Sequence, residues 1–572
     1  MPANASDSTL PPSLGRRGLL FLVLIFVLAL LPRFYSAVTL GWDWDWLGSF
    51  SLVNFDEGGS CRSELEGFSY STFIGKQTIA IATAVGSPPP EGIAGDARAV
   101  KGYCHSREHI RVARVYSAVT GSLTCVVLAL IGLLLVPGQP GVAWSAGILL
   151  ALSGFHISES HSGTVDAPSV FFIYSFIALM IWSVKRHSVP GLLTSPLLLV
   201  PAIWTKYWVF AVFSYLAWLP SKLWNYVSHG MSGRRVVLVM LATCILGALL
   251  TNPDFKQAKL YPVLVLWYLV IPWRAVHKPM AGVWLLLPLI AWLLFNVDLI
   301  AKYTTGGEYG TAYAAIGWHK LLRNLVNIPF VLIVGLGLPA FLFIPWGIRA
   351  LTHTGVSIRA WVCLSPVLIF LLFMAFLAPV TYYRHYLPLL PAAALLSALG
   401  LYATRWAQKR WFSVLFFAWP ALLAFDLLLD YHQDPRIELR QWYIENPDAR
   451  VFTSFYVNPP AGNNHLFRPE YADGDAGVLR QATHLILSEN WYDTAFANEL
   501  NGPLTHDLTR LVKTEPSYAR FYRDALAGRH PHLEVERTIA LHSVMPELRI
   551  HRWLYGNFPL FVGDLVIFRV KD

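Results

Sequence analysis

Apolar residues in this chain gather into long runs, separated by short polar connections that hold most of its Lys and Arg. The longer runs reach roughly 17 to 25 residues, the length needed to cross a hydrocarbon core as an α-helix. The pattern predicts spans near Gly18–Ala37, Val115–Val136, Val142–Phe155, Ala167–Val184, Val236–Leu250, Leu260–Trp273 and Gly282–Phe295. More follow near Leu325–Trp346, Ala360–Ala378, Tyr386–Tyr402 and Trp411–Leu429. Leu192–Leu219 is too long for one untilted helix and too short for two full ones, and Lys206 interrupts it. Two short helices with Lys206 at the tip of a hairpin keep Lys185-Arg186-His187 and the basic loop around Lys222, Arg234 and Arg235 on one side. The positive-inside bias favours that arrangement. The count is then about 13 spans.

Arg16 and Arg17 precede the first run, which predicts a cytoplasmic segment 1–17 and an uncleaved first helix rather than a signal peptide. Residues 18–430 form the membrane domain, with long external loops at 41–110 and 297–324. From Tyr431 the composition becomes that of a soluble domain. Ile437–Glu445 and Ser517–Leu526 read as helices, Arg450–Val457 and Thr483–Leu487 as strands, and Leu548–Trp553 and Leu560–Val570 as closing strands. The expected fold class is a polytopic α-helical membrane protein carrying a small C-terminal α/β domain, residues 431–572, outside the cytoplasm.

Composition agrees. Only 14% of the residues are charged and 55% are apolar, against about a quarter charged in a soluble protein. That excludes disorder, a coiled coil and an ordinary cytosolic enzyme. The net charge of +9 comes from basic residues in the short loops, where the positive-inside rule puts them, so no nucleic-acid partner is expected. The five Cys contain no CxxC pair, which argues against a cysteine metal cluster. Cys61 and Cys104 share the first external loop, either as a disulfide or as two free thiols.

Ionisable groups at span ends are the candidates for chemistry. Asn54-Phe55-Asp56-Glu57 follows the first span. Adjacent carboxylates beside an apolar surface suit general-base work, although a solvated acidic turn explains the pair better when it is taken alone. His156, Glu159 and His161 precede Asp166-Ala-Pro168 between two spans. Their spacing matches no strong zinc motif, and they read as the lining of a polar vestibule, with Asp166 also suited to cap a helix. Arg114, Lys206 and Arg384-His385 lie near the same membrane face. Each alone reads as a snorkelling anchor; together, on the face bearing the acids, they suit a phosphate.

These pieces resemble the GT-C superfamily of integral-membrane glycosyltransferases, and most of all the protein O-mannosyltransferases and the lipid A aminoarabinose transferase. The resemblance rests on Phe55-Asp56-Glu57, Ala113-Arg114-Val115-Tyr116-Ser117-Ala118, the Ser158–Phe172 segment bearing Asp166, Thr205-Lys206, and Tyr383-Arg384-His385-Tyr386-Leu387-Pro388. It implies inverting transfer of a sugar from a polyprenyl-phosphate carrier to an acceptor hydroxyl at the periplasmic face of a bacterial inner membrane. It implies Asp56 as catalytic base with Glu57 beside it and Asp166 orienting acceptor or sugar. Arg114, Lys206 and Arg384 would hold the donor phosphate, and His156, Glu159, His161 and His385 would line the vestibule. The leaving group is already a phosphodiester, so it needs charge stabilisation. No nucleotide site is needed, and the chain has no P-loop and no G-x-G-x-x-G before a helix. No cofactor is required; a divalent metal is possible but not favoured.

The first loop is longer than in relatives, with Ser87-Pro88-Pro89-Pro90, and His161 stands where relatives often have Arg. The acceptor, whether glycan, lipid or protein, is therefore left open. The alternative is a flippase or transporter of a lipid-linked or anionic solute, but most spans carry no charge at their centres. An oligosaccharyltransferase-like enzyme shares the fold class and would usually need a larger external domain and a metal.

Overall fold

The computed structural model describes residues 15–44, 50–67, 71–186, 188, 191, 194–206, 208, 211, 318–353, 364, 366–368, 370–371, 383–454, 457, 464–466, 476–489, 492, 516–555 and 563–571. The expected spans Val236–Leu250, Leu260–Trp273 and Gly282–Phe295, most of Ala360–Ala378 and the second half of the hairpin lie outside these residues. Among the described residues four helices are long and apolar enough to cross a membrane, or five if a bent pair is one span. The expected total of about 13 is not tested by these residues.

The first apolar run forms α1 (Arg16–Thr39). The first external loop, read from sequence as a loop, folds into α2 (Gly59–Glu66), α3 (Thr72–Ala84) and α4 (Ala97–Cys104). Asp96 caps α4 by accepting from the amides of Arg98 at 2.9 Å and Ala99 at 3.1 Å, as a side-chain oxygen at an N-cap does. The Cys61–Cys104 disulfide joins the first turn of α2 to the end of α4, with Cα atoms 5.7 Å apart. Replacing both cysteines with Ser is expected to cost about 2–4 kcal/mol. Thermal denaturation of the detergent-solubilised chain with and without reductant checks this; equal midpoints would show the bridge to be dispensable.

The second span is α5 (Arg107–Leu135), a turn and more longer than its apolar core because Ser106 caps it and Arg107 to Ala113 continue the helix out of the membrane. The run expected at Val142–Phe155 is two helices, α6 (Pro140–Ala151) and α7 (Gly154–His161), bent by 57°. Two features account for the break. Ser153 Oγ caps α7 at the His156 amide, and Arg33 of α1 donates to the last carbonyls of α6, at 3.3 Å to Leu150 and 3.1 Å to Ala151. Helix ends leave such carbonyls unpaired, and a buried guanidinium supplies the missing donors. Next come α8 (Asp166–Arg186) and α9 (Pro196–Thr205), the near arm of the expected hairpin, which stops at Lys206.

The span expected at Leu325–Trp346 starts earlier, as α10 (Trp318–Leu336), and breaks at Gly337, whose φ of +80° needs no Cβ. A single turn leads to α11 (Ile344–His353). A 3-10 turn at Tyr383–Tyr386 precedes α12 (Leu389–Ala403), and α13 (Arg410–His432) closes the membrane region.

The C-terminal domain holds α14 (Pro435–Glu445), α15 (Pro516–Leu526) and a five-stranded sheet: β1 (Val451–Thr453), β2 (Asn464–Leu466), β3 (His484–Ser488), β4 (Leu533–Ile539) and β5 (Leu565–Val570). The order is β2-β1-β3-β5-β4, parallel through β2, β1 and β3 and antiparallel beyond. Both faces are covered, as a mixed sheet fed by crossovers requires. Leu485, Leu487 and Phe568 pack with Phe521 and Tyr522 of α15 on one side, while Ile486 and Ile567 pack with Leu439 and Trp442 of α14 on the other.

One strand expectation is overturned: residues 548–553 lie in a helix, α16 (Pro546–Tyr555). Pro546 and the acidic Glu547 suit a first helical turn, and Glu547, Leu548 and His551 are buried on one face. The strand that fills the sheet edge instead is β4, whose interior is exposed and so lacks alternation.

Candidate active site

The first external loop lies between the membrane helices and the C-terminal domain. Trp44 sits in the core beside Tyr443 and Val451, and Arg436 donates to the Leu52 carbonyl at 2.7 Å. This anchorage fixes the acidic turn that follows. Gly58, with φ of +80°, reverses the chain after Asp56-Glu57; a Cβ there would meet the Cys104 carbonyl at 2.7 Å. The disulfide and this contact hold the turn against α4.

Glu57 and Arg114 face each other with no side-chain surface exposed. Arg114 donates Nε–H at 2.7 Å to Oε1 and Nη2–H at 2.8 Å to Oε2, a bidentate pair, and Nη1–H to the Leu40 carbonyl at 2.6 Å. Glu57 also accepts from the amides of Val53 at 3.0 Å, Asn54 at 3.4 Å and Gly163 at 2.9 Å. Burial would push its carboxyl up; the Arg114 guanidinium, with the Gly163 and Val53 amides, overrides this and holds it below the ordinary value. The pair ties the first loop, the end of α1, α5 and the turn before α8 into one unit. Expected from sequence as a catalytic acid and a phosphate ligand, the two use their hydrogen-bonding capacity on each other and on backbone.

Asp56 turns the other way and forms an ion pair with Arg384 of the 3-10 turn. Asp166, the first residue of α8, pairs with Lys206 at the end of α9. Both pairs are partly accessible. Asp166, Lys206, Arg384 and His385 line one small cavity with Ser169, Trp208, Phe370, Leu387 and Pro388. The Trp208 and Phe370 rings stack at 4.9 Å, and Trp208 Nε1–H donates to Ser169 Oγ at 2.6 Å. Four separate segments thus bring two carboxylates and two cations to one place.

The expected vestibule divides. His385 lines the cavity, and Glu159 lies within electrostatic reach of Asp56, Asp166, Lys206 and Arg384. His156 is fully buried behind them, 2.9 Å from Arg33 Nη2. His161 is fully buried with its ring edge-on to Tyr431 at 4.7 Å. No group of three or more metal-ligating side chains is assembled among the described residues.

Two solved structures of the oligosaccharyltransferase from the archaeon Archaeoglobus fulgidus have this architecture. One is AglB in complex with an inhibitory peptide and a dolichol-phosphate; the other is tethered through a disulfide to an acceptor peptide containing the NVT sequon. Each superposes with a TM-score of 0.50 at 11% identity, over 96% of this chain and 88% of that one. The chain shares the fold of this oligosaccharyltransferase. No protein-family model and no curated protein sequence matches it.

Within this fold, sequence reading passed over Arg33, Ser169, Trp208 and Arg436. Arg33 had a signal, a lone cation inside the first apolar run. Ser169 follows Asp166 by three residues and so shares its helix face. Trp208 and Arg436 had no local signal.

Proposed function

We propose that this chain is an inverting membrane glycosyltransferase that moves a sugar from a polyprenyl-phosphate carrier to an acceptor hydroxyl at the periplasmic face. The observation that carries this reading is the pair of acid–cation contacts, Asp56–Arg384 and Asp166–Lys206, in which Asp166, Lys206 and Arg384 line one cavity and Asp56 is joined to it through Arg384. The dolichol-phosphate and peptides bound to proteins of the same fold support a lipid-phosphate donor and an external acceptor in general.

An anionic phosphate attracts Lys206 and Arg384 away from their carboxylates. Asp56 is thereby released to accept a proton from the acceptor hydroxyl, and the two cations stabilise the charge that grows on the leaving phosphate. Asp166 remains at the head of α8 to orient the sugar or acceptor. Glu57 and Arg114 hold the first loop in register with α5 and act as scaffold.

The test is single-turnover transfer in native membranes, with a pool of radiolabelled polyprenyl-phosphate sugars and label followed off the carrier. Consumption of one donor supports the reading. Movement of intact carrier across the bilayer without loss of label would replace it with a flippase.

A further inference from the structure

Among the described residues the carboxylates of the site outnumber its cations. Among the described residues Glu57 pairs with Arg114, Asp166 with Lys206 and Asp56 with Arg384, while Glu159 is in none of these ion pairs. It is 6% exposed, and its Oε2 has no hydrogen-bond partner. A buried polar atom without a partner costs free energy. Glu57 shows how this fold treats a structural acid, with two guanidinium and three backbone donors on it. Glu159 has no such set among the described residues, yet it lies within electrostatic reach of all four charged groups of the cavity region.

Its carboxylate interacts electrostatically with Asp56 of the first loop, Asp166 of α8, Lys206 after α9 and Arg384 of the 3-10 turn, and its helix packs against α1, α5, α8, α10 and α13. Tyr431 of α13 is near as well, and His156 and His161 share its helix.

We infer that Glu159 is a proton-holding residue that takes over from Asp56 the proton removed from the acceptor hydroxyl. This rests on the glycosyl-transfer reading above. In that reaction the acceptor oxygen forms its bond to the anomeric carbon as the bond from that carbon to the phosphate oxygen breaks. The electron pair leaves with the phosphate, whose charge rises by one, and the hydroxyl proton goes to Asp56. Protonated Asp56 does not recapture Arg384, which stays with the phosphate. Passing the proton on to Glu159 Oε2 restores the Asp56 carboxylate before the next donor arrives, and Glu159 gives the proton up to solvent as the carrier phosphate departs. Glu159 thus sets the rate of resetting rather than the rate of the first transfer.

The experiment compares wild type, Glu159→Gln and Glu159→Asp as full-length protein in proteoliposomes, using whichever labelled carrier sugar the wild type consumes. The glutamine variant is expected to keep its first turnover within about threefold, while its steady-state rate falls about a hundredfold. Added imidazole base restores part of the loss, and the aspartate variant restores more. First-turnover and steady-state rates falling together, with a lowered thermal midpoint, would make Glu159 a structural acid and overturn the assignment. Unchanged steady-state turnover would overturn it as well. A wild type that consumes no donor would instead bring down the glycosyl-transfer reading, and the relay with it.

Discussion

Asp56→Asn is expected to retain the donor and lose the transfer. The substitution keeps the shape of the side chain and removes both its charge and its capacity to take a proton. Removing a positioned general base lowers turnover by about 10²–10⁴-fold. Donor affinity should not fall with it. In the resting chain Arg384 pairs with Asp56, and with asparagine there this carboxylate no longer competes with the phosphate for the guanidinium, so the donor binds equally or more tightly. Retention of labelled carrier and single-turnover transfer, measured on the same membranes, separate the two quantities. If Asp56→Asn transfers at the wild-type rate, Asp56 serves only as a counter-ion and Asp166 becomes the candidate base. If donor binding is lost as well, the Asp56–Arg384 contact is needed to hold the cavity together.

Arg114→Met is expected to act on folding rather than on binding. Breaking a fully buried pair by removing one partner strands the other charge, at about 3–5 kcal/mol. Here Glu57 would keep three backbone amides and lose both guanidinium contacts. Glu57→Gln should cost a comparable amount. The double variant Glu57→Gln with Arg114→Met should cost less than the sum, because residues in direct contact do not add. Thermal midpoints of the four proteins in one detergent complete the cycle. Donor binding lost at an unchanged midpoint would return Arg114 to the phosphate.

The same pair gives a direction in pH. Glu57 is held below its ordinary value, so its contribution to stability is fully present above the ordinary carboxylate range. It is lost as pH falls through the depressed folded-state value. The midpoint of the wild type should therefore decline in acid, and this part of the decline should be absent from Glu57→Gln. An acid limb of equal size in both proteins would assign it to other carboxylates.

The legible and illegible parts of this molecule differ for physical reasons. Long apolar runs announce α1, α5, α8 and α13 because the bilayer demands that every backbone group bond within its own segment. Breaks inside such runs are less visible. The bend between α6 and α7 depends on Arg33 reaching the carbonyls of Leu150 and Ala151 from a helix more than a hundred residues away. The first loop hid three helices because its sequence alternates short apolar stretches with Gly and Pro, which reads as loop until the disulfide and Trp44 are seen to anchor it. In the C-terminal domain, α16 was mistaken for a strand because a short apolar stretch does not distinguish the two.

For the site, sequence reading named the charged residues but not their pairing. Asp56 and Glu57 are neighbours whose side chains go to different partners. Adjacency in sequence cannot separate a buried tie from an accessible acid; only the fold of α5 and the 3-10 turn does so. Glu159 was grouped with two histidines by proximity along the chain, yet it belongs with the charged groups of the cavity, while His156 belongs with Arg33.

The last membrane helix has a mechanical consequence. α13 runs into α14 with only Gln433 and Asp434 between them, and the stretch Trp411–Glu445 counts 35 residues. At 1.5 Å per residue the 23 residues of α13 alone make a mast of about 35 Å, against a hydrocarbon thickness of about 30 Å. Asp426 accepts from the amides of Val544 and Met545, and Asp430 from the Ser543 hydroxyl, so stays run from the mast to the base of the sheet. The height of the C-terminal domain above the lipid is therefore metered by helical rise, and its compass heading by helical phase. One residue added to the mast would turn the domain by about 100° and shear every stay at once.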